Sequence, residues 1–229
     1  MCGRFTLKAP PAELITHFGL ASCPDFFPRY NIAPTSDVLV IRHKPDTGRV
    51  GQMVRWGLVP SWAKDPSIGA KLNNARGETV AEKPSFRTSF AKHRCLIPAN
   101  GFYEWKPVTE GGKVRRQPFY IRPTNENDLF AFAGLLARWR SEAGDDLITT
   151  CIITTGPNAV MEPIHDRMPV ILEQDAWGAW LGSDNSSTDA LKALLVPAPA
   201  DAMVAYPVGM AVNRSGVEGD ELIKEQADG

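Results

Sequence analysis

Cysteine at position 2 carries the sharpest chemical signal in this sequence. A small second residue allows the initiator methionine to be removed, and the chain would then begin with an α-amine and a thiol on adjacent carbons. The ordinary pKa values are about 7.7–8.0 for the amine and about 8.5 for the thiol, so both are partly deprotonated near neutral pH. Such a 1,2-aminothiol traps aldehydes. The amine condenses to a Schiff base and the thiol closes a five-membered thiazolidine on it, a reaction that neither an internal cysteine nor an N-terminal serine performs as well. The alternative is a retained Met1, with Cys2 merely the second residue of a strand.

Three other clusters carry chemistry-bearing side chains. In GFYEWK, Glu104 lies between Tyr103 and Trp105. On a strand it faces away from both, and a carboxyl desolvated by aromatic walls has a raised pKa suited to proton transfer. The competing reading is a glutamate on the wet face of an edge strand. In PIHDRMP, His165, Asp166 and Arg167 sit between Pro163 and Pro169. This pattern describes a rigid loop whose histidine can act as acid or base, or simply cap a turn beside a surface Asp–Arg pair. LNNARGET reads as a polar turn, in which Asn74 can orient a reacting group and Arg76 can grip a phosphate. The cysteines (Cys2, Cys23, Cys95, Cys151) and four histidines show no CxxC or HxxxH spacing, so neither a metal nor an organic cofactor is expected.

The elements that must hold these residues are short. Nineteen Pro and 19 Gly interrupt the chain throughout. Residues 10–20 predict an amphipathic helix with Pro11 near its start and Gly19 at its stop. Alternating segments at 37–43 and 50–58 predict paired strands, followed by strands at 95–99, 101–106, 118–122, 129–139 and 147–155. Residues 83–93 predict a helix with Phe86 and Phe90 on one face. A helical turn is expected within 158–167, and two helices at 173–182 and 187–195. Strands outnumber helices and their connections are too short for repeated parallel crossovers. The expected class is α+β, a single domain of mostly antiparallel, curved sheet with short flanking helices. The domain is placed at 1–215, with 216–229 a frayed acidic tail.

Composition narrows the function classes. Hydrophobic residues make up 43% of the 229 and charged residues 22%, which excludes a disordered chain or a fibre. No stretch approaches the roughly 18 apolar residues of a membrane helix, and the first residues lack a signal core. A reduced, cytoplasmic protein is expected. The net charge of −1 conceals an asymmetry: residues 1–140 carry 21 Lys and Arg against 11 Asp and Glu, and residues 141–229 carry 4 against 15. The basic part also holds most of the aromatics, a combination that single-stranded nucleic acid sites use. On charge alone, a solvated basic face over a buried aromatic core is the favoured reading.

Seven segments occur together and in order: MCGRF, RYNIAP (29–34), WGLVPSW (56–62), NNARGET (73–79), KPSFR (83–87), RCLIPANGFYEW (94–105) and PIHDRMP (163–169). As a set they resemble the SRAP family, the SOS response-associated peptidase domain that includes abasic-site sensors. The resemblance runs from the first residue to about residue 170, and more loosely to 207–213. It implies covalent crosslinking to abasic sites in single-stranded DNA, with Cys2 as nucleophile. Asn74 would hold the cysteine and the sugar hydroxyls, Glu104 would move protons during ring closure, and His165 would act on the sugar oxygen. Arg4, Arg76 and Arg167 would contact phosphates, with Arg87 close by. Trp62 and the Asn31–Pro34 segment would border the DNA groove. Ala63 departs from the pattern of relatives with a second tryptophan, and Pro84–Ser85 from those with an arginine. A monomer associated with the nucleoid when bound to DNA is expected, and weak lyase activity is compatible with the Schiff base. Two alternatives remain: a thiol peptidase using Cys2, Glu104 and His165, and a noncatalytic single-stranded DNA-binding module indifferent to Cys2. Against the first stands the single residue, Met1, that precedes Cys2.

Overall fold

Alternating side chains and tight turns produce two sheets, which meet along one seam. The computed structural model describes residues 2–182 and 187–226, apart from the Glu110 side chain. Whether Met1 is retained therefore concerns a residue outside this description.

The first sheet contains β1 (Arg4–Leu7), β2 (Arg29–Ile32), β7 (Gly101–Glu110), β8 (Lys113–Pro123) and β12 (Met203–Pro207), in the order β12-β8-β7-β1-β2. Every neighbouring pair in it is antiparallel. The second sheet contains β3 (Asp37–Lys44), β4 (Gly48–Trp56), β5 (Asn74–Arg76), β6 (Arg94–Ala99), β9 (Phe130–Arg140), β10 (Asp146–Thr155) and β11 (Met168–Pro169). Five of these strands close on themselves in the order β10-β4-β3-β6-β9, because β9 pairs with β10 as well as with β6. The architecture is α+β, strand-rich and curved.

Strand β10 organises the region of interest. Its first half pairs parallel to β4 through Thr149 and Thr150. Its second half pairs parallel to β5, with Ile152 opposite Asn74 and Thr154 opposite Arg76. Within NNARGET, Asn74–Arg76 is thus a short strand where a turn was expected, and the turn follows from Gly77; β4 ends at Trp56 and leaves the β10 edge open for β5 to pair with. The far end of β10 also pairs with β11, Thr155 opposite Met168.

The core lies between the sheets and inside the closed ring. Phe5 of β1 contacts Trp56 edge-on at a centroid distance of 5.2 Å and Phe132 at 6.1 Å, joining the two sheets. Most aromatics of the basic region are spent here: Phe5, Trp56, Phe86, Phe90, Phe102 and Tyr103 are buried. The buried-core reading of that composition holds for most of them, with Trp62 and Phe27 exposed.

Helices are few and short, as the prolines and glycines demand. Helix α1 (Pro11–Phe18) buries Leu14 and Phe18, and Gly19 ends it in the left-handed region at φ 62°. Helix α2 (Arg87–Lys92) is shorter than residues 83–93 suggested, since a turn with Phe86 N–H on the Lys83 carbonyl precedes it. Helices α3 (Trp177–Leu181) and α4 (Thr188–Ala193) pack near the end of the chain.

The frayed acidic tail requires correction over residues 216–226; the rest of it, 227–229, lies outside the described residues. Leu222 is 1% exposed, in a cluster with Tyr103, Tyr120, Val208 and Val212. Glu218 accepts hydrogen bonds from Arg29 Nε at 2.8 Å and from the backbone N–H groups of Tyr30 and Asn31. Apolar Val217, Leu222 and Ile223, interspersed among the acidic residues, supply the burial that net charge obscures.

Candidate active site

Two residues from each sheet meet at the seam. Arg4 of β1 stands opposite Tyr103 of β7, so the chain just before β1 runs beside Glu104. From the other sheet, β10 brings β5 and β11 to its far end, which sets Asn74 and the His165–Arg167 loop nearby. Polar contacts among these residues also cross the seam. Asn74 Nδ2 donates to the Cys2 carbonyl at 2.8 Å, and His165 Nε2 lies 3.8 Å from Glu104 Oε2. The four residues named from the sequence for catalysis therefore converge, although 163 positions separate the first from the last.

Position within each element explains the convergence. Alternation along β7 turns Tyr103 into the second apolar cluster, where its hydroxyl donates to the Tyr30 carbonyl at 2.8 Å. Glu104 accordingly faces the seam and is 2% exposed. Asn74 is held in place from behind: the buried Trp56 indole N–H donates to the carbonyl of Asn73 at 2.8 Å. The Asn74 Oδ1 is buried and has no hydrogen-bond partner among the described residues, leaving an acceptor available at the seam.

The electrostatics follow from burial. Desolvation raises the Glu104 carboxyl from its ordinary 4.5 to about 7. Desolvation also pushes His165 below its ordinary 6.5, despite the nearby carboxylate of Asp166, which acts the other way. Near neutral pH the carboxyl thus retains a substantial share of its proton and the imidazole is mainly neutral. His165 Nδ1 accepts from the Arg167 backbone N–H at 3.0 Å, which assigns the imidazole proton to Nε2, on the side of Glu104. The 2.9 Å approach of Asp166 Oδ1 to the same Nδ1 becomes favourable only when the ring is protonated. Because Asp166 is largely exposed, the amide contact prevails for the neutral ring.

Cys2 is 0% exposed, so its thiol is shut away from solvent. Burial, then the charge of Glu104, pushes its thiol well above the ordinary range, so it is protonated at neutral pH. With Met1 attached, the Cys2 nitrogen is a peptide amide, and the aminothiol is latent.

Several residues expected to face phosphates bond inside the protein instead. Arg4 donates to Asn31 Oδ1 at 2.6 Å and to the Val212 carbonyl at 2.9 Å. Asn31, 1% exposed, donates to the carbonyls of Arg214 and Val217 at 3.0 and 3.1 Å. Both organise the returning C-terminal segment, a role invisible when residues 1–34 are read alone. Arg167 forms a two-pronged pair with Glu78 at 2.5 and 2.9 Å and donates to the Thr154 carbonyl at 2.6 Å. Arg76, Arg87 and Trp62 are exposed, the last at 58%, and Pro34 is half-buried. The Trp62 loop is anchored by Trp139 Nε1, which donates to the Ala63 carbonyl at 2.7 Å. Gly57, at φ 129°, and Gly69 pack back to back at its base: a Cβ on Gly57 would lie 2.6 Å from the Gly69 carbonyl oxygen.

A cleft of about 470 Å³ opens onto the seam, lined by Glu104, Trp105, Arg116, His165 and Asn213. Trp105, Arg116 and Asn213 were not singled out for the site from the sequence. Trp105 is signalled only by its place beside Glu104, and its indole donates to Asn213 Oδ1 at 2.6 Å. Arg116 has no local signal; the β7–β8 register sets it opposite Pro107. Among the described residues no cluster of His, Cys, Asp and Glu could hold a metal ion, and no helix is long and apolar enough to cross a membrane.

Comparison with known proteins decides the family. The family described as SOS response associated peptidase, SRAP, matches residues 1–215. The chain belongs to the SRAP family. Among SRAP relatives, the abasic site processing protein YoqW of Bacillus subtilis is 45% identical, covering 98% of this chain and 99% of that protein. The abasic site processing protein HMCES of Rattus norvegicus is 32% identical, covering 94% of this chain and 73% of that protein. A crystal structure of a Bacteroides thetaiotaomicron protein superposes with a TM-score of 0.87 at 27% identity, covering 98% of this chain and 100% of that one. The SRAP match bears out the family resemblance read from the seven segments.

Proposed function

We propose that this protein processes abasic sites by crosslinking to them in single-stranded DNA through Cys2, once Met1 has been removed. The observation that carries the reading is the seam itself: Asn74 on the Cys2 carbonyl, with Glu104 and His165 beside it. The printed names of relatives such as YoqW and HMCES support abasic DNA as the substrate.

The chemistry divides among the four residues. His165, in the protonated form that Asp166 favours, gives its Nε2 proton to the ring oxygen of the abasic deoxyribose while the Glu104 carboxylate takes the C1′ hydroxyl proton and the sugar opens to its aldehyde; both protons return on reversal. The α-amine of Cys2 adds to C1′, and Glu104 supplies the proton with which the carbinolamine hydroxyl departs as water. The thiol then adds across the resulting C=N bond. A C–S bond forms, the thiol proton passes to nitrogen, and the thiazolidine closes. A carboxyl with a pKa near 7 can both give and take protons in this sequence. Asn74 directs the Cys2 backbone, and its free Oδ1 can accept from a sugar hydroxyl. The Schiff base also permits β-elimination, which makes slow strand cleavage a side reaction. Exposed Arg76, Arg87 and Trp62 would hold the flanking strand, by charge and by stacking.

Intact mass spectrometry before and after exposure to abasic single-stranded DNA tests the reading. The expected result is a protein lacking Met1 that gains one DNA strand in a denaturant-stable adduct. An adduct formed equally by protein that retains Met1 would overturn the proposal. Thiol peptidase activity would instead need no aldehyde and no free α-amine.

A further inference from the structure

A second cavity lies away from the seam, and its chemistry fits nucleic acid. Its volume is about 500 Å³, with Arg42, Lys92 and Arg138 among its basic lining and Leu136, Ile148 and Leu181 among its apolar lining. Arg94 lies beneath it, 7% exposed, with its guanidinium donors on the carbonyls of Phe90, Ala91, Trp180 and Gly182. Among the described residues no carboxylate forms an ion pair with Arg42, Lys92 or Arg94. Asp146, the acidic group in the lining, is paired with Arg138 and Arg140. The cavity thus combines uncompensated positive charge with an apolar wall, as a nucleotide's phosphate and base require.

Its position relates it to the DNA-holding surface. A smaller pocket of about 150 Å³ contains Trp62, Pro84, Ser85 and Thr88, and shares His93, Ala137 and Arg138 with the larger one. The two form one groove that starts at the exposed indole and passes around α2 to Lys92.

We propose that this groove seats the single-stranded DNA flank beyond Trp62 and forms a noncatalytic second site, with bases on the Leu136–Ile148–Leu181 wall and phosphates at Arg42 and Lys92. The inference rests on the reading that the protein acts on abasic DNA. It adds a length requirement: affinity rises when the strand is long enough to reach Lys92.

The test compares wild type, Lys92→Glu and Lys92→Gln on undamaged oligonucleotides with a short flank of roughly three or a long flank of about ten nucleotides on either side of a central position. Binding is read by fluorescence anisotropy over a salt series. Lys92 is exposed at the end of α2, and thermal melting checks that the variants are folded. The expected result is a roughly five- to tenfold loss for Lys92→Glu on the long oligonucleotide, a smaller loss for Lys92→Gln, and a salt slope reduced by about 1. Equal losses on short and long strands, or no loss, would overturn the proposal. So would an oligoglutamate of matching charge that competes as well as DNA, since the groove would then be a general anion site. Crosslinking of the short oligonucleotide carrying an abasic site, measured in parallel on wild type, reports on the underlying function independently. Failure there with flank binding intact would sink the abasic-site reading and leave the groove.

Discussion

The seam and the groove around α2 use polar residues in opposite ways. At the seam, Glu104 and Cys2 are buried, their protonation is governed by desolvation, and their neighbours come from distant parts of the chain. Around α2 and Trp62 the cations are exposed or uncompensated, although Arg42, Lys92 and Arg138 also come from separate segments. A reaction needs groups whose proton affinity differs from that in water, which burial provides. Retention of a polyanion needs charges that remain available, which burial would destroy. The arginines divide the same way: Arg4 and Arg167 hold the protein together, whereas Arg76 and Arg87 face outward.

Substitutions at the seam should have the largest effects. Cys2→Ala should reduce the stable adduct to background on a denaturing gel, whereas Cys2→Ser should form at most a reversible Schiff base. An adduct of wild-type stability in Cys2→Ala would remove the seam's claim to the chemistry.

Glu104→Gln should slow crosslinking by about 10²- to 10³-fold, the range of a lost general acid–base. The same change should stabilise the fold above neutral pH. The folded pKa of about 7 exceeds the ordinary 4.5, so the unfolded chain ionises first and wild-type stability falls as pH rises from about 4.5 to 7. The shift corresponds to roughly 3 kcal/mol at about 1.4 kcal/mol per unit, an upper bound on the gain. Urea melts of both proteins at pH 5 and pH 8 measure it, and an unchanged difference between the two pH values would refute the burial account.

Asn74→Ala removes the bond to the Cys2 carbonyl and should slow crosslinking about tenfold, consistent with one well-placed hydrogen bond of roughly 1–1.5 kcal/mol. Single-turnover rates at saturating DNA separate this effect from binding.

The outward-facing residues should show the smallest effects, and these should fall on affinity. Trp62→Ala should weaken single-strand binding by about 1–3 kcal/mol through lost stacking. Arg76→Ala should lower the salt slope by about 1 with little change in the saturated rate. A rate defect at saturating DNA in either variant would blur the division between the two regions.

Local chemistry was legible in the residues alone. The aminothiol potential of Cys2, the alternation that separates Glu104 from Tyr103, the Pro11 and Gly19 limits of α1, and most strands depend on a few adjacent side chains. The tertiary structure decided what depends on partners far along the chain. It turned Asn74–Arg76 into a strand on β10, buried Cys2, and drew Arg4 and Asn31 to the returning segment at Val212–Val217. It committed Arg167 to Glu78 and packed Leu222 within an acidic stretch. A side chain's intrinsic reactivity travels with its covalent structure, but its exposure, proton affinity and hydrogen-bond partners are set by whichever groups folding brings against it.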